Sequence, residues 1–224
     1  MIKLYSGPMS MFSAKALVAI REKALPCEVE LVPFSPSAGY GTMPGPVLAA
    51  NPRRQIPVIV DADHTVYDST LIFEYLEDRY PAPPLRPASV EGRMLVRQLE
   101  HEADEVLFRP VADIINDYRA GRRDRRAEHL DRAAAAVDRL AGQMRDGAFL
   151  ASDFSYADIG MICSLYYAEF VGADVSDPRL EDWMRRTLTR PSVAEVLGGI
   201  LAYMRANGRP EPAVHAAILD TVQR

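Results

Sequence analysis

A run of prolines divides this chain into two parts with different secondary-structure patterns, and this division limits the possible folds most strongly. Four of the seven residues from 81 to 87 are prolines. Alternating strand patterns occur only before this run, and helical spacings dominate after it. Because proline-rich segments of this kind are typical of linkers, we predict a mixed α/β domain over residues 1–80, a linker over 81–88 and an all-helical domain over 89–224.

The first eighty residues predict the element order βαβ, loop, ββα. The predicted elements are strands at 2–5, 28–32, 57–60 and 65–67 and helices at 13–23 and 71–79. A helix between the first two strands makes a βαβ unit, which implies that these strands are parallel. The intervening segment 33–52 is rich in Pro, Gly and Ser and predicts a long loop with one helical turn.

The C-terminal part is predicted to contain helices only. A long helix is expected from Ser89 with a bend near Pro110, because proline interrupts helical hydrogen bonding. The best-defined start is at Ser155, where Asp158 stands at the position that completes a capping box. The other predicted helices cover 125–144, 178–189 and 191–204.

Composition excludes several classes of function. The 224 residues carry a net charge of -5, which disfavours binding to nucleic acid. Cys27 and Cys163 stand far apart, so neither a disulfide framework nor a metal site is expected, and no redox C-x-x-C motif is present. No apolar stretch approaches the ~20 residues that a membrane span needs. We therefore expect a cytoplasmic protein without metal, membrane or nucleic-acid partners.

The turn between the first strand and the first helix, residues 7–13, contains two serines that could act on a ligand. Backbone amides at a helix N-terminus favour an anion, and a hydroxyl group there can donate to it. The alternative is that Ser10 or Ser13 only caps the helix.

Two further motifs could bind parts of a peptide. A cis bond before Pro57 would leave the backbone of Ile56 free to pair with an extended chain, although an ordinary edge-strand proline is the alternative. Asp68 and Ser69 directly precede a helix. They could bind the ammonium and carboxylate groups of an α-amino acid, or they could be plain N-cap residues.

The order and spacing of these motifs resemble the N-terminal signature of cytosolic glutathione transferases. The matching segments are residues 4–10, 51–58 and 67–76, and residues 153–158 resemble the C-terminal signature of the same family. The resemblance covers essentially the whole chain. It implies a thioredoxin-like domain that binds glutathione as a co-substrate, an all-α domain that supplies a second-substrate pocket, and a homodimer.

The resemblance gives Ser10 the catalytic role, which is donation of a hydrogen bond to the glutathione sulfur. A thiol with a pKa of ~8.5 is mostly protonated at neutral pH, and lowering this pKa by ~2 units needs ~2.7 kcal/mol. A charge-assisted hydrogen bond and a helix terminus can together supply this free energy. Ser13 is the rival candidate. The residues that the resemblance assigns to glutathione binding are Gln55, Ile56, Pro57, Asp68 and Ser69.

Three departures from the family pattern concern glutathione binding. Arg54 replaces the glycine that is usual before Gln55, and Asp68 stands where many relatives have glutamate. The segment 35–46 has no Lys, Arg or His for the glycyl carboxylate. We hypothesise that Arg53 or Arg54 takes this role.

Several functions are compatible with these motifs. The first is a transferase that adds glutathione to a small apolar electrophile in detoxification, and its variants are a glutathione-dependent etherase, dehalogenase or isomerase. A non-catalytic binding module is the second class, and a thiol-disulfide oxidoreductase is disfavoured because no cysteine lies near Ser10. The predicted second-substrate pocket lies between the domains and is lined by Met11, Phe12, Phe108, Ile115 and Tyr118.

Overall fold

The computed structural model describes residues 1–144 and 147–222. Contacts within the chain divide it into two compact units, Met1–Leu85 and Arg86–Arg224. The division falls inside the proline-rich segment 81–88. The first unit contains a mixed sheet and the second contains helices, so the predicted fold class is confirmed.

The first unit is built on a four-stranded sheet in the order β2-β1-β5-β6. Its elements are β1 (Ile2–Ser6), α1 (Met11–Glu22), β2 (Cys27–Leu31), β3 (Phe34–Ser35), β4 (Gly39–Tyr40), α2 (Gly45–Ala50), β5 (Val58–Asp61), β6 (His64–Tyr67) and α3 (Ser69–Arg79). The β1–β2 pair is parallel, as the βαβ pattern predicts, and β5 is antiparallel to both β1 and β6. Helices α1 and α3 pack against each other.

A small hairpin formed by β3 and β4 lies in the segment that the sequence predicts as a loop. Phe34 pairs with Tyr40 across this hairpin, and their ring centroids are 5.1 Å apart. Tyr40 also packs against a buried cluster that includes Tyr5, Val47 and Ile56. Strands of two residues are too short to show an alternating pattern, which is why sequence periodicity does not reveal them.

The end of the first unit is fastened by a buried ion pair. Lys23 Nζ contacts the Glu77 carboxylate, and the two side chains are 0% and 4% exposed. The same ammonium group donates to the carbonyl oxygens of Tyr80 at 2.8 Å and Pro83 at 2.9 Å. Glu77 Oε1 accepts from the Leu85 amide at 3.0 Å. Lys23 therefore joins the C-terminal end of α1 to the proline-rich segment.

The second unit contains α4 (Val90–Glu102), α5 (Phe108–Arg119), α6 (Arg126–Gln143), α7 (Tyr156–Phe170), α8 (Pro178–Leu188), α9 (Pro191–Ala206) and α10 (Ala213–Val222). A π-helical segment, Ala103–Leu107, joins α4 to α5. The predicted interruption of the long helix thus lies one turn before Pro110. Pro110 cannot donate to a carbonyl in the preceding turn, while the Ala103 carbonyl accepts from both the Phe108 amide and Ser164 Oγ.

Helix α7 is buried at the centre of the second unit and begins with the predicted capping box of Ser155 and Asp158. Asp158 Oδ1 also accepts from Trp183 Nε1 at 2.8 Å and from the Leu150 amide at 3.0 Å. Burial raises the pKa of Asp158, although these hydrogen bonds oppose the rise. Over residues 1–144 and 147–222, no helix has both the length and the apolar character of a membrane span.

Candidate functional site

Strand register brings the three predicted motifs to the same end of the sheet. Tyr5 of β1 is opposite Val58 of β5, and Val58 is opposite Tyr67 of β6. The turn to Ser10 follows β1, Ile56 precedes β5, and Asp68 follows β6. Neighbouring strands are ~4.8 Å apart, so the strand ends span roughly 10 Å, which is the length of an extended tripeptide at ~3.3 Å per residue.

Ser10 is the N-cap residue of α1. Its Oγ accepts a hydrogen bond from the Ser13 amide at 3.2 Å, and its own amide donates to the Gly7 carbonyl at 3.2 Å. Ser10 Oγ is the acceptor in this bond with the Ser13 amide, and it donates to no described residue. Its hydrogen therefore remains available for donation to a bound anion, so capping and a catalytic role are compatible.

Ser13, the rival residue, lies in the first turn of α1. Its side chain is fully buried, and its Oγ has no hydrogen-bond partner in the part of the chain that the structure describes. Ser10 is also buried but lies at the start of the helix, where the backbone is extended. Met11 is buried beside it and Phe12 is half-buried.

The peptide bond between Ile56 and Pro57 is cis. The Ile56 residue is 8% exposed and lies directly before β5. Neither its N–H nor its C=O makes a hydrogen bond with another described residue. A free backbone at the end of a strand is what an extended peptide needs for pairing.

A tight turn before Ile56 is held by the buried side chain of Asn51. Asn51 Nδ2 donates to the Gln55 carbonyl at 2.7 Å, and Asn51 Oδ1 accepts from the Arg53 amide at 2.9 Å. Arg54 has a φ of 53°, and its amide donates to the Asn51 carbonyl at 2.8 Å. This left-handed conformation favours glycine, which is the residue that the family resemblance expects at this position.

The turn carries two arginine side chains just before Ile56. Arg53, Arg54 and Gln55 are exposed. Neither arginine forms an ion pair with any described residue.

Across residues 1–144 and 147–222, no group of three or more His, Cys, Asp or Glu side chains is arranged to hold a metal ion.

Asp68 is the N-cap residue of α3 and has an unusual backbone conformation, with a φ of 70°. Its Oδ1 accepts from the Thr70 amide at 3.0 Å and from the Leu71 amide at 3.4 Å. Asp68 Oδ2 makes no hydrogen bond to a described residue and can accept from an ammonium group. Ser69 follows it in the first turn and is 3% exposed.

The three aromatic and apolar residues predicted in α5 have different surroundings within the second unit. Phe108 is buried, and its ring meets the ring of Tyr167 edge-on at 6.2 Å. Ile115 is half-buried. Tyr118 is 57% exposed, and the Arg123 guanidinium lies 4.3 Å from its ring centroid. Their contact with a second substrate stays a prediction.

Sequence reasoning missed two residues that shape this end of the sheet. Asn51 precedes a proline and reads as an ordinary turn residue, yet its side chain holds the turn before Ile56. Tyr40 lies against Gly7 and packs against the buried cluster that contains Ile56. The available signal for Tyr40 is an aromatic residue within a segment otherwise rich in Pro, Gly and Ser.

The family models of two domains match this chain. Residues 4–84 match "Glutathione S-transferase, N-terminal domain", and residues 123–186 match "Glutathione S-transferase, C-terminal domain". The first match includes every predicted glutathione-binding residue, and the second includes the capping box of α7.

Individual relatives agree with these matches. Glutathione S-transferase 3 of Zea mays is 26% identical over 214 residues, which are 89% of this chain and 94% of that protein. A stringent starvation protein A homolog of Coxiella burnetii is 26% identical over 173 residues, which are 77% of this chain and 78% of that protein. The solved structure of a glutathione S-transferase of Methylobacterium radiotolerans in complex with glutathione sulfonate superposes with a TM-score of 0.74 at 26% sequence identity. The match covers 87% of this chain and 93% of that one.

Proposed function

Because the chain belongs to the glutathione S-transferase family, we propose that it activates glutathione for attack on a small apolar electrophile. The observation that carries this proposal is the register of β1, β5 and β6, which places Ser10, Ile56 and Asp68 at one end of the sheet. Solved structures of similar transferases with bound glutathione support the choice of ligand.

The proposed chemistry needs a hydrogen-bond donor and no general base. Ser10 Oγ–H donates to the glutathione sulfur, and the N-terminus of α1 adds its favourable field for a negative charge. Both lower the thiol pKa, and the proton is released to water. The thiolate then forms a bond from sulfur to the carbon of the electrophile, and the displaced group leaves with the electron pair of its bond.

The cysteinyl backbone and the γ-glutamyl group of glutathione bind to residues at the ends of the strands. The free backbone of Ile56 pairs with the cysteinyl unit beside Pro57, and Gln55 contacts the peptide. Asp68 Oδ2 accepts from the γ-glutamyl ammonium group, while Ser69 donates to the adjoining carboxylate.

The second substrate determines which reaction follows thiol activation. We propose that it contacts Met11, Phe12, Phe108, Ile115 and Tyr118, which are apolar or aromatic. The same thiolate could cleave an ether, displace a halide or catalyse an isomerisation in which glutathione is regenerated. A panel of electrophiles of each class, assayed with the wild-type protein, decides among these reactions.

A binding module without catalysis is the second candidate. It is favoured by similarity to stringent starvation protein A homologs, whose names specify no transferase activity. Calorimetry with glutathione and turnover of a chromogenic aryl halide separate the two candidates. We expect binding and turnover. Binding without turnover of any electrophile in the panel would support the binding module, and absence of binding would refute a glutathione-dependent role.

We also propose that the chain forms a homodimer in the cytoplasm and acts in detoxification, on the basis of family membership. Gel filtration with light scattering tests the oligomeric state. A mass near 50 kDa is expected for two chains of 24.9 kDa. A mass near that of one chain at micromolar concentration would contradict the dimer.

Arg53 and Arg54 are predicted to bind the glycyl carboxylate of glutathione. Replacing both with glutamine should weaken glutathione binding about tenfold, because a charge-assisted contact contributes roughly 1.5 kcal/mol. The test compares glutathione with its glycine amide, which lacks this carboxylate, by calorimetry. We expect the double variant to bind the amide as well as wild type does. Equal losses for both ligands would exclude carboxylate recognition by these arginines.

A further inference from the structure

Gly7 is required by the space around it. A Cβ atom at this position would overlap Tyr40 Cε1, and it would lie 2.6 Å from Tyr40 Cζ and 2.8 Å from Ile56 Cδ1. The Tyr40 ring therefore lies directly against the Gly7 backbone, at the point where the Ile56 side chain also arrives. Any larger residue at position 7 must displace both of these side chains or shift the backbone.

Gly7 is coupled to the proposed catalytic hydroxyl by the backbone. The Gly7 carbonyl accepts from the Ser10 amide at 3.2 Å, so the position of Gly7 controls the turn that carries Ser10. Ile56 supplies the free backbone on the opposite side of the proposed cysteinyl unit. Tyr40 thus contacts the backbone on one side of the proposed sulfur position and packs against the buried cluster that contains the Ile56 side chain.

The Tyr40 ring also packs against other residues of the first unit. Its centroid lies 5.1 Å from that of the Phe34 ring across the β3–β4 hairpin, and the ring packs against the buried cluster containing Tyr5 and Val47. Because close-packed side chains transmit displacement to their neighbours, the ring cannot move away from Gly7 without disturbing this packing. The hairpin therefore acts as a fixed support for the Ser10 turn.

We propose that Tyr40 is a positioning residue that sets the Ser10 hydroxyl at hydrogen-bonding distance from the glutathione sulfur. This inference rests on the proposed function. The ring acts through contact with Gly7 and with the cluster of Ile56, and it does not touch the reacting atoms. Its removal should weaken thiol activation more than it weakens glutathione binding, since the ring lies against Gly7 and the cluster of Ile56, whereas the γ-glutamyl group is assigned to Asp68 and Ser69.

The test measures the pKa of bound glutathione by its thiolate absorbance and the glutathione Kd by calorimetry. Tyr40→Ala and Gly7→Ala should each raise the bound-thiol pKa by about one unit, a tenfold loss of thiolate at low pH, while the Kd changes about threefold or less. Tyr40→Phe retains the ring and should keep the wild-type pKa. Val47→Ala loosens the same cluster without removing the ring and should also keep it.

The outcomes separate this inference from the proposed function. A wild-type pKa equal to that of free glutathione would refute thiol activation, and the role of Tyr40 would fall with it. A lowered wild-type pKa that Tyr40→Ala and Gly7→Ala leave unchanged would refute the role of Tyr40 alone. If Val47→Ala raised the bound-thiol pKa as much as Tyr40→Ala does, the cause would be general loosening of the cluster. This result would also contradict positioning by Tyr40. If Tyr40→Ala fails to fold, Tyr40→Leu and Gly7→Ala provide the same test.

Discussion

Replacing Lys23 with methionine should lower the free energy of unfolding by about 3–5 kcal/mol, because it removes one partner of the buried Lys23–Glu77 ion pair. The substitution also removes the donor for the carbonyl oxygens of Tyr80 and Pro83. For a chain of this size, the midpoint of thermal unfolding should fall by roughly 10 °C. Differential scanning calorimetry and urea unfolding measure the change.

Two further variants identify the cause of this loss. Lys23→Met combined with Glu77→Leu should be more stable than Lys23→Met alone, since it also removes the buried Glu77 charge that the single variant retains. Lys3→Met removes an exposed ion pair with Glu28 and Glu30, and it should change stability far less. An effect of Lys23→Met no larger than that of Lys3→Met would contradict the role of the buried pair.

Ser10→Ala should produce the largest loss of activity among the site variants. Because Ser10 and the N-terminus of α1 together lower the thiol pKa by ~2 units, removing Ser10 reduces the thiolate fraction by up to about a hundredfold well below pH 6.5. The loss should shrink as pH rises and vanish above the pKa of the free thiol at ~8.5, where the thiol ionises without help. Initial rates with one electrophile from pH 5.5 to 9.5 measure this dependence.

Ser13→Ala is the matched control for Ser10→Ala. It removes a hydroxyl group from the same helical turn but leaves the Ser10 cap in place, since the Ser13 amide is the donor in that bond. We expect nearly wild-type activity at every pH. A large loss in Ser13→Ala, with Ser10→Ala active, would transfer the catalytic role to Ser13.

Much of the fold could be predicted because its signals are local. The strand patterns before the proline-rich segment predict β1, β2, β5 and β6, and the capping box at Ser155 predicts the start of α7. Pro110 indicates the interruption of the long helix to within about one turn. The π-helical segment itself lies where the Ala103 carbonyl accepts from Ser164 Oγ, which is distant in sequence, so no local pattern indicates its position.

The positions of the site motifs could be predicted, but their supports could not. Ser10, Ile56 and Asp68 stand at recognisable element ends. Tyr40 and Lys23 act through contacts with residues that are distant along the chain, 33 positions in the case of Gly7 and Tyr40. The positive φ of Arg54 also depends on the Asn51 turn. These features arise from tertiary packing, which residue spacing does not encode.

The most direct test of thiol activation is the pKa of glutathione bound to the wild-type protein, measured by titrating the ultraviolet absorbance of the thiolate. Ser10→Ala and glutathione in buffer are measured in parallel. The account predicts a bound pKa about two units below the free value of ~8.5, shifted upward toward that value in Ser10→Ala. A bound pKa equal to the free value in the wild-type protein would contradict it and leave a protein that binds glutathione without activating it.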